Sequence, residues 1–350
     1  MLAAVYRGDG RVAAEEVPTP TIGDDEVLIR VETCGVCHTD LKKIEYNLLP
    51  APRIYGHETA GVIAAAGRNV RKYKQGERVA VFHHIPCGTC FYCQRRLYAQ
   101  CPVYKRVGVT AGFEPAGGGF AQYVRAMGWI VERGIERIPD GVSFDQACWI
   151  EPVNTCLKGV VMLDLAAGDT VAILGQGPIG LIFTMLVKRT GAQVIASDTI
   201  PYRLALSREL GADASDPRTP DFEQKIREGT DGRGADAVIV ATNAPGLVDQ
   251  ALKLSRPGAK ILLFAQTSVK ERIEISGADV CVGERILMGS YSADVDLQAE
   301  SARLVCGGSL PLERLISHRV PLNEINDGIQ TALHPGERSL KVVVHPQEAL

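Results

Sequence analysis

Four cysteines fall within one short run of the sequence, PCGTCFYCQRRLYAQCP. Their spacing is C-x2-C-x2-C-x7-C, at Cys87, Cys90, Cys93 and Cys101. Four thiolates this close can fill the tetrahedral shell of one Zn²⁺ and leave no position for a substrate. The alternatives are two disulfides or unpaired thiols on a loop. Because the sequence opens without an apolar leader, we expect a cytoplasmic, reducing compartment in which disulfides are rare. The run therefore predicts a structural zinc site that helps this segment fold.

A glycine motif marks a second site. The strand-like run TVAIL leads directly into Gly175-Gln176-Gly177-Pro178-Ile179-Gly180, and a helix-like run follows. In such a motif the first glycine makes the turn, the second admits a pyrophosphate and the third lets the helix pack on the strand. The helix N-terminus attracts the phosphates. Taken alone the motif is weak, because methyltransferases and tight turns also contain glycine clusters.

A carboxylate at the next strand end strengthens the prediction of a dinucleotide. Asp198 stands 18 residues after Gly180. A carboxylate there accepts hydrogen bonds from a ribose 2′-hydroxyl and repels a 2′-phosphate. The pattern predicts NAD in preference to NADP. The alternative is that Asp198 only caps a helix beginning at Pro201.

A catalytic metal site would have to be built from Cys37 and the triplet Gly56-His57-Glu58. A thiolate and an imidazole are suitable zinc ligands. A catalytic site adds a third protein ligand and keeps one position for water or substrate. Spacing alone does not decide whether Cys37 and His57 are ligands or ordinary core or surface residues.

The elements that must position these residues change character near residue 150. Up to about Val131, short β-like runs alternate with turns rich in glycine and proline, which predicts an irregular β-rich domain. From Thr170 onward, strands alternate with helices, which predicts a doubly wound parallel sheet. We place the first domain at residues 1–153, completed by 293–350, and the second at 154–292.

The composition is that of a two-domain globular protein. The chain has 350 residues, of which 46% are hydrophobic and 23% charged, ordinary values for this class. Its net charge of −3 argues against nucleic acid and anionic membranes as partners. No apolar stretch is long enough to span a membrane. The ten cysteines predict metal ligands and buried thiols.

Together these motifs resemble the zinc-containing medium-chain alcohol dehydrogenases. The runs Cys37-His38-Thr39-Asp40 and Gly56-His57-Glu58, the cysteine quartet and the glycine motif occur in that family's order. The pair Glu151-Pro152 is similar to the sorbitol and threonine dehydrogenase branch. The resemblance implies a GroES-like catalytic domain, a Rossmann domain and an active site in the cleft between them. We also expect a homo-oligomer, either a dimer or a tetramer.

The same resemblance implies a metal centre with assigned ligands. Cys37 and His57 would hold a catalytic zinc, and Glu58 and Glu151 would be the third and exchangeable ligands. Asp40 would orient the ligand histidine, a common means of fixing its tautomer.

It also implies the residues that meet the substrate and the cofactor. Thr39 would accept the proton of the substrate hydroxyl while hydride passes to the nicotinamide. His38 and Lys341 would contact the pyrophosphate, and Arg203 would lie near the adenine, ribose or phosphate. Lys42 stands where the family often has a histidine that relays the proton to solvent. It is either a relay with a lowered pKa or a solvated side chain.

The implied function is the zinc- and NAD-dependent oxidation of a secondary alcohol, namely a polyol, sugar alcohol or cyclitol. One alternative is an amino alcohol such as threonine. Another is a zinc-containing NAD-binding protein without turnover. The segment between Cys37 and His57 is several residues shorter than in sorbitol dehydrogenases, so sorbitol itself stays open as the substrate.

Overall fold

The computed structural model describes residues 1–106, 108–113, 117–265 and 272–348. The chain divides into two compact units. The first consists of Met1–Asn154 with Ala293–Leu350, and the second is Thr155–Ser292. The domain limits predicted from the sequence differ from these bounds by one residue.

The strands are numbered in chain order. Those of the first half are β1 (Leu2–Gly8), β2 (Arg11–Glu16), β3 (Val27–Gly35), β4 (Arg53–Ile54), β5 (Glu58–Ala66), β6 (Arg78–Val81), β7 (Val109–Thr110), β8 (Tyr123–Ala126) and β9 (Ile135–Arg137). Those that follow are β10 (Thr170–Leu174), β11 (Gln193–Ser197), β12 (Asp213–Ser215), β13 (Ala235–Val240), β14 (Ser255–Leu263), β15 (Ile286–Gly289), β16 (Ile316–Pro321) and β17 (Lys341–His345).

The helices are numbered in the same way. They are α1 (His38–Glu45), α2 (Gly128–Arg133), α3 (Phe144–Ala147), α4 (Ile150–Leu163), α5 (Pro178–Arg189), α6 (Pro201–Glu209), α7 (Asp221–Glu228), α8 (Leu247–Leu254), α9 (Gly277–Cys281), α10 (Gln298–Cys306) and α11 (Ile325–Leu333). None of them, within the described ranges, combines the length and apolar character that a membrane crossing needs.

The first unit is built on a mainly antiparallel sheet with the strand order β16-β17-β3-β5-β6-β9, which β8 and β7 extend beside β3. A smaller sheet has the order β2-β1-β4. The register places Gly35 on β3 opposite Glu58 on β5 and opposite Val343 on β17. The end of β3, the start of β5 and the start of β17 are therefore neighbours. This junction positions the candidate metal site.

The second unit is a parallel sheet with the order β12-β11-β10-β13-β14-β15. Strand β10 is buried along its whole length, as expected for a parallel strand with helices on both faces of the sheet. The order reverses at β10, so the glycine motif that follows β10 lies at the switch point of the sheet, where ligands bind in doubly wound folds. The predicted doubly wound parallel sheet is confirmed.

Candidate active site

Cys37 is fixed at the N-terminus of α1. It is the N-cap residue, and its Sγ accepts a hydrogen bond from the backbone N–H of Thr39, with an N···S distance of 3.5 Å. The free N–H groups of the first turn and the helix dipole favour a negative charge at this position. The helix start thus presents the sulfur of Cys37 at a fixed position, and the thiolate is the form of cysteine that binds metal.

His57 lies just before β5 and is held by Asp40 from the first turn of α1. His57 Nδ1 lies 3.1 Å from Asp40 Oδ1, and both side chains are buried. A carboxylate can only accept, so Nδ1 carries the proton and Nε2 keeps a lone pair for a metal. The structure thus gives Asp40 the orienting contact that the resemblance implies.

The third member of the cluster is Glu58, the first residue of β5. Its carboxylate is buried and forms an ion pair with Lys341, the first residue of β17. Gly35 leaves room for this pair, because a Cβ atom at that position would lie 2.0 Å from Glu58 Oε2. Lys341 is itself buried, and its ammonium group lies 5.4 Å from the centre of the Trp149 ring. Its contact with a pyrophosphate stays a prediction.

The donor set at this junction fits a divalent zinc ion. One ligand atom each from Cys37, His57 and Glu58 lies within 4.8 Å of the others, and a thiolate, an imidazole and a carboxylate are all zinc ligands. Burial alone would lower the pKa of His57, but the charges of Asp40 and Cys37 outweigh it and raise that pKa well above its usual value. The same electrostatic field that favours a proton on His57 favours a metal cation.

Glu151 lies close to this cluster but is not one of its three members. It occupies the first turn of α4 and is buried. Burial raises the pKa of Glu151 to about 7, with His57 opposing the shift and Glu58 adding to it. Thr39 is partly buried beside Cys37, whereas His38 is exposed. The group of ligand atoms within 4.8 Å of one another thus includes Glu58 and does not include Glu151. The roles of the two carboxylates as third and exchangeable zinc ligands stay a prediction.

The cysteine quartet forms a second cluster in the first unit. The Sγ atom of Cys93 lies 3.5 Å from that of Cys90 and 3.9 Å from that of Cys87, which is 3.7 Å from Cys101 Sγ. A disulfide requires about 2.05 Å, and none of the ten cysteines forms one. The edge of a tetrahedron with Zn–S bonds of about 2.3 Å is roughly 3.8 Å. The four sulfurs therefore fit one zinc ion.

The glycine motif has the geometry that a pyrophosphate requires. Gly175 has a φ of +95°, a conformation that favours glycine. A Cβ at Gly180 would lie 1.9 Å from the carbonyl oxygen of Gly175, whereas one at Gly177 would meet only Arg203, at 3.8 Å. Pro178 occupies the first helical position of α5, where its missing N–H is not needed. The turn and the open approach at Gly177 fit a dinucleotide.

Asp198 fixes the loop beside this motif. Its Oδ2 accepts a hydrogen bond from Gln176 N at 2.7 Å and its Oδ1 accepts one from Ile200 N at 2.9 Å. Arg203 Nη1 lies 3.8 Å from Oδ2. The carboxylate thus supports the turn before α6 and the glycine motif at once. Its contact with a ribose stays a prediction.

The structure adds two histidines that the sequence did not single out. The His83 ring lies against His57, with centroids 4.8 Å apart, and the His84 ring lies against His83 at 3.9 Å. The only signal for them in the sequence is the consecutive pair between β6 and the cysteine quartet.

Comparison with known proteins agrees with both sites. The sequence pattern of the family described as "Alcohol dehydrogenase GroES-like domain" matches residues 23–134, and that described as "Zinc-binding dehydrogenase" matches residues 178–305. The chain is 30% identical to the sorbitol dehydrogenase of Bacillus subtilis (strain 168), over 99% of this chain and 97% of that protein.

Two further proteins have similar sequences. An L-threonine 3-dehydrogenase from Symbiobacterium thermophilum is 31% identical, over 95% of this chain and 93% of its own length. The crystal structure of a zinc-binding dehydrogenase from Sinorhizobium meliloti 1021 bound to NADP has a TM-score of 0.88 and 31% identity, covering 99% of each chain. The predicted combination of a GroES-like and a Rossmann domain is confirmed. The chain belongs to the zinc-binding alcohol dehydrogenase family of oxidoreductases.

Proposed function

We propose that the protein oxidises a secondary alcohol, a polyol, sugar alcohol or cyclitol, with NAD as the hydride acceptor and zinc at the reacting oxygen. The observation that carries the proposal is the buried cluster of Cys37, His57 and Glu58, with Asp40 setting the tautomer of His57. The similarity to a sorbitol dehydrogenase along nearly the whole chain supports a polyol.

The chain's own residues define the order of events. When bound, zinc would lower the pKa of an alcohol hydroxyl beside it. Cys37, His57 and Glu58 would hold the ion, with Glu151 as the ligand that exchanges with Glu58. Thr39, two residues after Cys37 at the start of α1, would accept the hydroxyl proton while it passes its own proton on to the cofactor ribose or to water. The cysteine quartet holds a separate ion with no open position and stabilises its loop.

The cofactor site is the glycine motif of the second unit. A bound NAD would supply the acceptor for the hydride of the carbinol carbon. Gly177 leaves the backbone open to the pyrophosphate, and the N–H groups at the start of α5 bind its oxygens. Asp198 accepts from the ribose hydroxyls, with His38, Arg203 and Lys341 as further contacts.

A screen of alcohols tests this function. Zinc-loaded protein should form NADH with at least one member of a panel of polyols, cyclitols, sugars and amino alcohols that includes L-threonine. If L-threonine alone is oxidised, the substrate class proposed here is wrong. Two bound zincs and tight NADH binding without turnover on any alcohol would identify a non-catalytic protein instead.

Thr39→Val should lower kcat by about a hundredfold or more, because a positioned group for proton transfer commonly contributes that much. Thr39→Ser, which keeps the hydroxyl, is the matched control and should retain most of the activity. Steady-state rates at saturating alcohol and NAD measure both. Near-normal kcat in the valine variant would show that another group accepts the proton.

Asp198→Asn should narrow the preference for NAD over NADP by about tenfold or more, because the hydrogen bond to a charged acceptor is weakened and the repulsion of a 2′-phosphate is removed. The asparagine keeps one acceptor oxygen and can serve only one of the two backbone N–H groups that Asp198 binds through separate oxygens, so the melting temperature of the variant is compared with that of the wild type. The ratio of kcat/KM for the two cofactors is the measurement. A wild-type enzyme that prefers NADP would contradict this role for Asp198.

The homo-oligomer and the cytoplasmic location belong to the same proposal. Strand β15 is the outer strand of the described parallel sheet, with Ile286 on it and Tyr291 just after it both exposed. Free edge groups and apolar side chains favour pairing with a second copy. The cysteine quartet, whose sulfur separations fit zinc-bound thiolates, supports a reducing compartment. A monomer in sedimentation velocity would contradict the homo-oligomer. Active enzyme in a secreted fraction would contradict the cytoplasmic location.

A further inference from the structure

A positive charge beside the candidate metal ligands has no carboxylate partner. Lys43 follows Asp40 by three residues on α1, so both lie on the same side of the helix. Its ammonium group lies 5.9 Å from the centre of the Tyr55 ring. In the described part of the chain Lys43 forms no ion pair, and the buried carboxylates of Asp40 and Glu58 are already paired with other side chains.

Buried polar atoms without partners lie on Tyr55, beside Lys43, and on the two stacked histidines of the same unit. His83 Nδ1, His84 Nε2 and the Tyr55 hydroxyl are all buried and form no hydrogen bond within the described residues. Burial is the main cause that lowers the pKa of both histidines, and the positive charge of Lys43 adds to the lowering of both pKa values. Buried polar groups are normally hydrogen-bonded, so each unsatisfied one needs an explanation, and a bound partner is one such explanation.

We propose that Lys43 and His84 bind an anionic group, a carboxylate or a phosphate, at one end of the alcohol substrate. The inference rests on the oxidation proposed above and narrows its substrate to an acidic or phosphorylated polyol. Lysine supplies a compact charge for an anion. Neutral His84 donates from the ring nitrogen that carries its proton.

The order of the three histidine rings defines the orientation in which the substrate would bind. The His83 ring lies between the His84 ring and the ligand His57, with the centroid separations of 4.8 and 3.9 Å described above. The carbon that reacts lies at His57, the anionic end lies at His84, and His83 Nδ1 is left for a hydroxyl of the chain between them. A several-carbon polyol can reach across both rings.

A competing role for Lys43 is to balance the charge of Asp40. Asp40 Oδ2 is buried without a hydrogen bond, and Lys43 is among the charges that lower the pKa of Asp40 against the effect of burial. In that case the loss of Lys43 would alter the orientation of His57 and impair every alcohol equally. An anion subsite would instead affect only substrates that carry an anion.

Kinetics on three compounds with the same six-carbon framework separates these roles. Sorbitol is neutral, gluconate carries a carboxylate and sorbitol 6-phosphate carries a phosphate. The wild type should prefer one of the two anions over sorbitol by about tenfold or more in kcat/KM. Lys43→Met should lower kcat/KM for that anion by about 10- to 100-fold, mainly through KM, as expected for a hydrogen bond to a charged group. Sorbitol should change by less than about threefold.

Lys43→Arg should restore most of the anion preference, and Lys74→Met, which removes an exposed lysine of the same unit, should change nothing. His84→Phe keeps an aromatic ring in the stack and should lower kcat/KM only for the anionic compound. A wild type that prefers sorbitol to both anions, or a Lys43→Met loss shared equally by all three compounds, would overturn the proposal.

Binding measurements test the anion subsite separately from the oxidation of the alcohol. If no compound yields NADH, the oxidation itself is wrong. Calorimetry of gluconate and sorbitol 6-phosphate with the zinc-loaded wild type and Lys43→Met then decides the subsite. Binding that depends on Lys43 sustains it, and equal binding, or none, to the two proteins overturns it.

Discussion

The His57→Ala protein should lose more than about a hundredfold in kcat/KM while its fold is retained. Loss of a residue that merely orients a metal ligand typically lowers activity or metal affinity by 10- to 100-fold, and His57 is proposed as a ligand itself. The substitution also leaves Asp40 as a buried carboxylate without its partner at 3.1 Å. Steady-state kinetics and the zinc content per chain measure the effect, and the zinc content should fall by one.

Two further variants distinguish the loss of a metal ligand from a folding defect. His57→Asn keeps a donor near Asp40 and should be folded, by circular dichroism, yet equally inactive. Asp40→Asn keeps the shape of the orienting residue but removes its charge, so a smaller loss of about 10- to 100-fold is expected. Activity near the wild-type level in either His57 variant would place the chemistry elsewhere in the molecule.

The Cys90→Ser protein should be less stable by at least about 2 kcal/mol, with a lower melting temperature, because metal binding is folding energy for such a segment. The buried core around the quartet is small. It consists of Cys93, Cys101 and Tyr104, with a few half-buried neighbours. Apolar packing alone therefore gives this loop little stability. Differential scanning calorimetry gives the melting temperature, and elemental analysis should show the loss of one zinc.

Cys281→Ser is the matched control, because Cys281 is exposed on α9 and belongs to no cluster of the described residues. Its melting temperature should equal that of the wild type, and it should keep its full zinc content. If the Cys90→Ser protein also kept the wild-type melting temperature and zinc content, the quartet would not be a zinc site. The sulfur separations of 3.5–3.9 Å would then need another explanation.

The sequence pattern predicts the central strands of the parallel sheet but not its two outer strands. Strands β10, β11, β13 and β14 were recognisable as apolar runs, because strands buried on both faces are continuously hydrophobic. Strands β12 and β15 were missed. Strand β12 spans only Asp213–Ser215 and has little hydrophobic signal. Strand β15, Ile286–Gly289, is apolar, but four residues are too few to distinguish a strand from another short apolar run. Only the pairing of both strands in the folded chain defines them.

The metal site shows a different limit. Cys37 and His57 lie 20 positions apart, and spacing could not decide whether they meet. The β3–β5 register, with Gly35 opposite Glu58, brings them together, and such a register depends on the packing of the whole sheet. The ion pair of Glu58 with Lys341 and the stacking of His83 on His57 have the same origin. Neither has a local sequence pattern.

Elemental analysis of fully active wild-type protein tests the central claim most directly. The quartet and the cluster of Cys37, His57 and Glu58 share no ligand, so each chain should contain two zincs. The ion held by three protein ligands should be removed by a chelator before the ion held by four thiolates, and its removal should abolish NADH formation and leave one zinc in a folded protein. One zinc or fewer per chain in fully active protein would contradict the account.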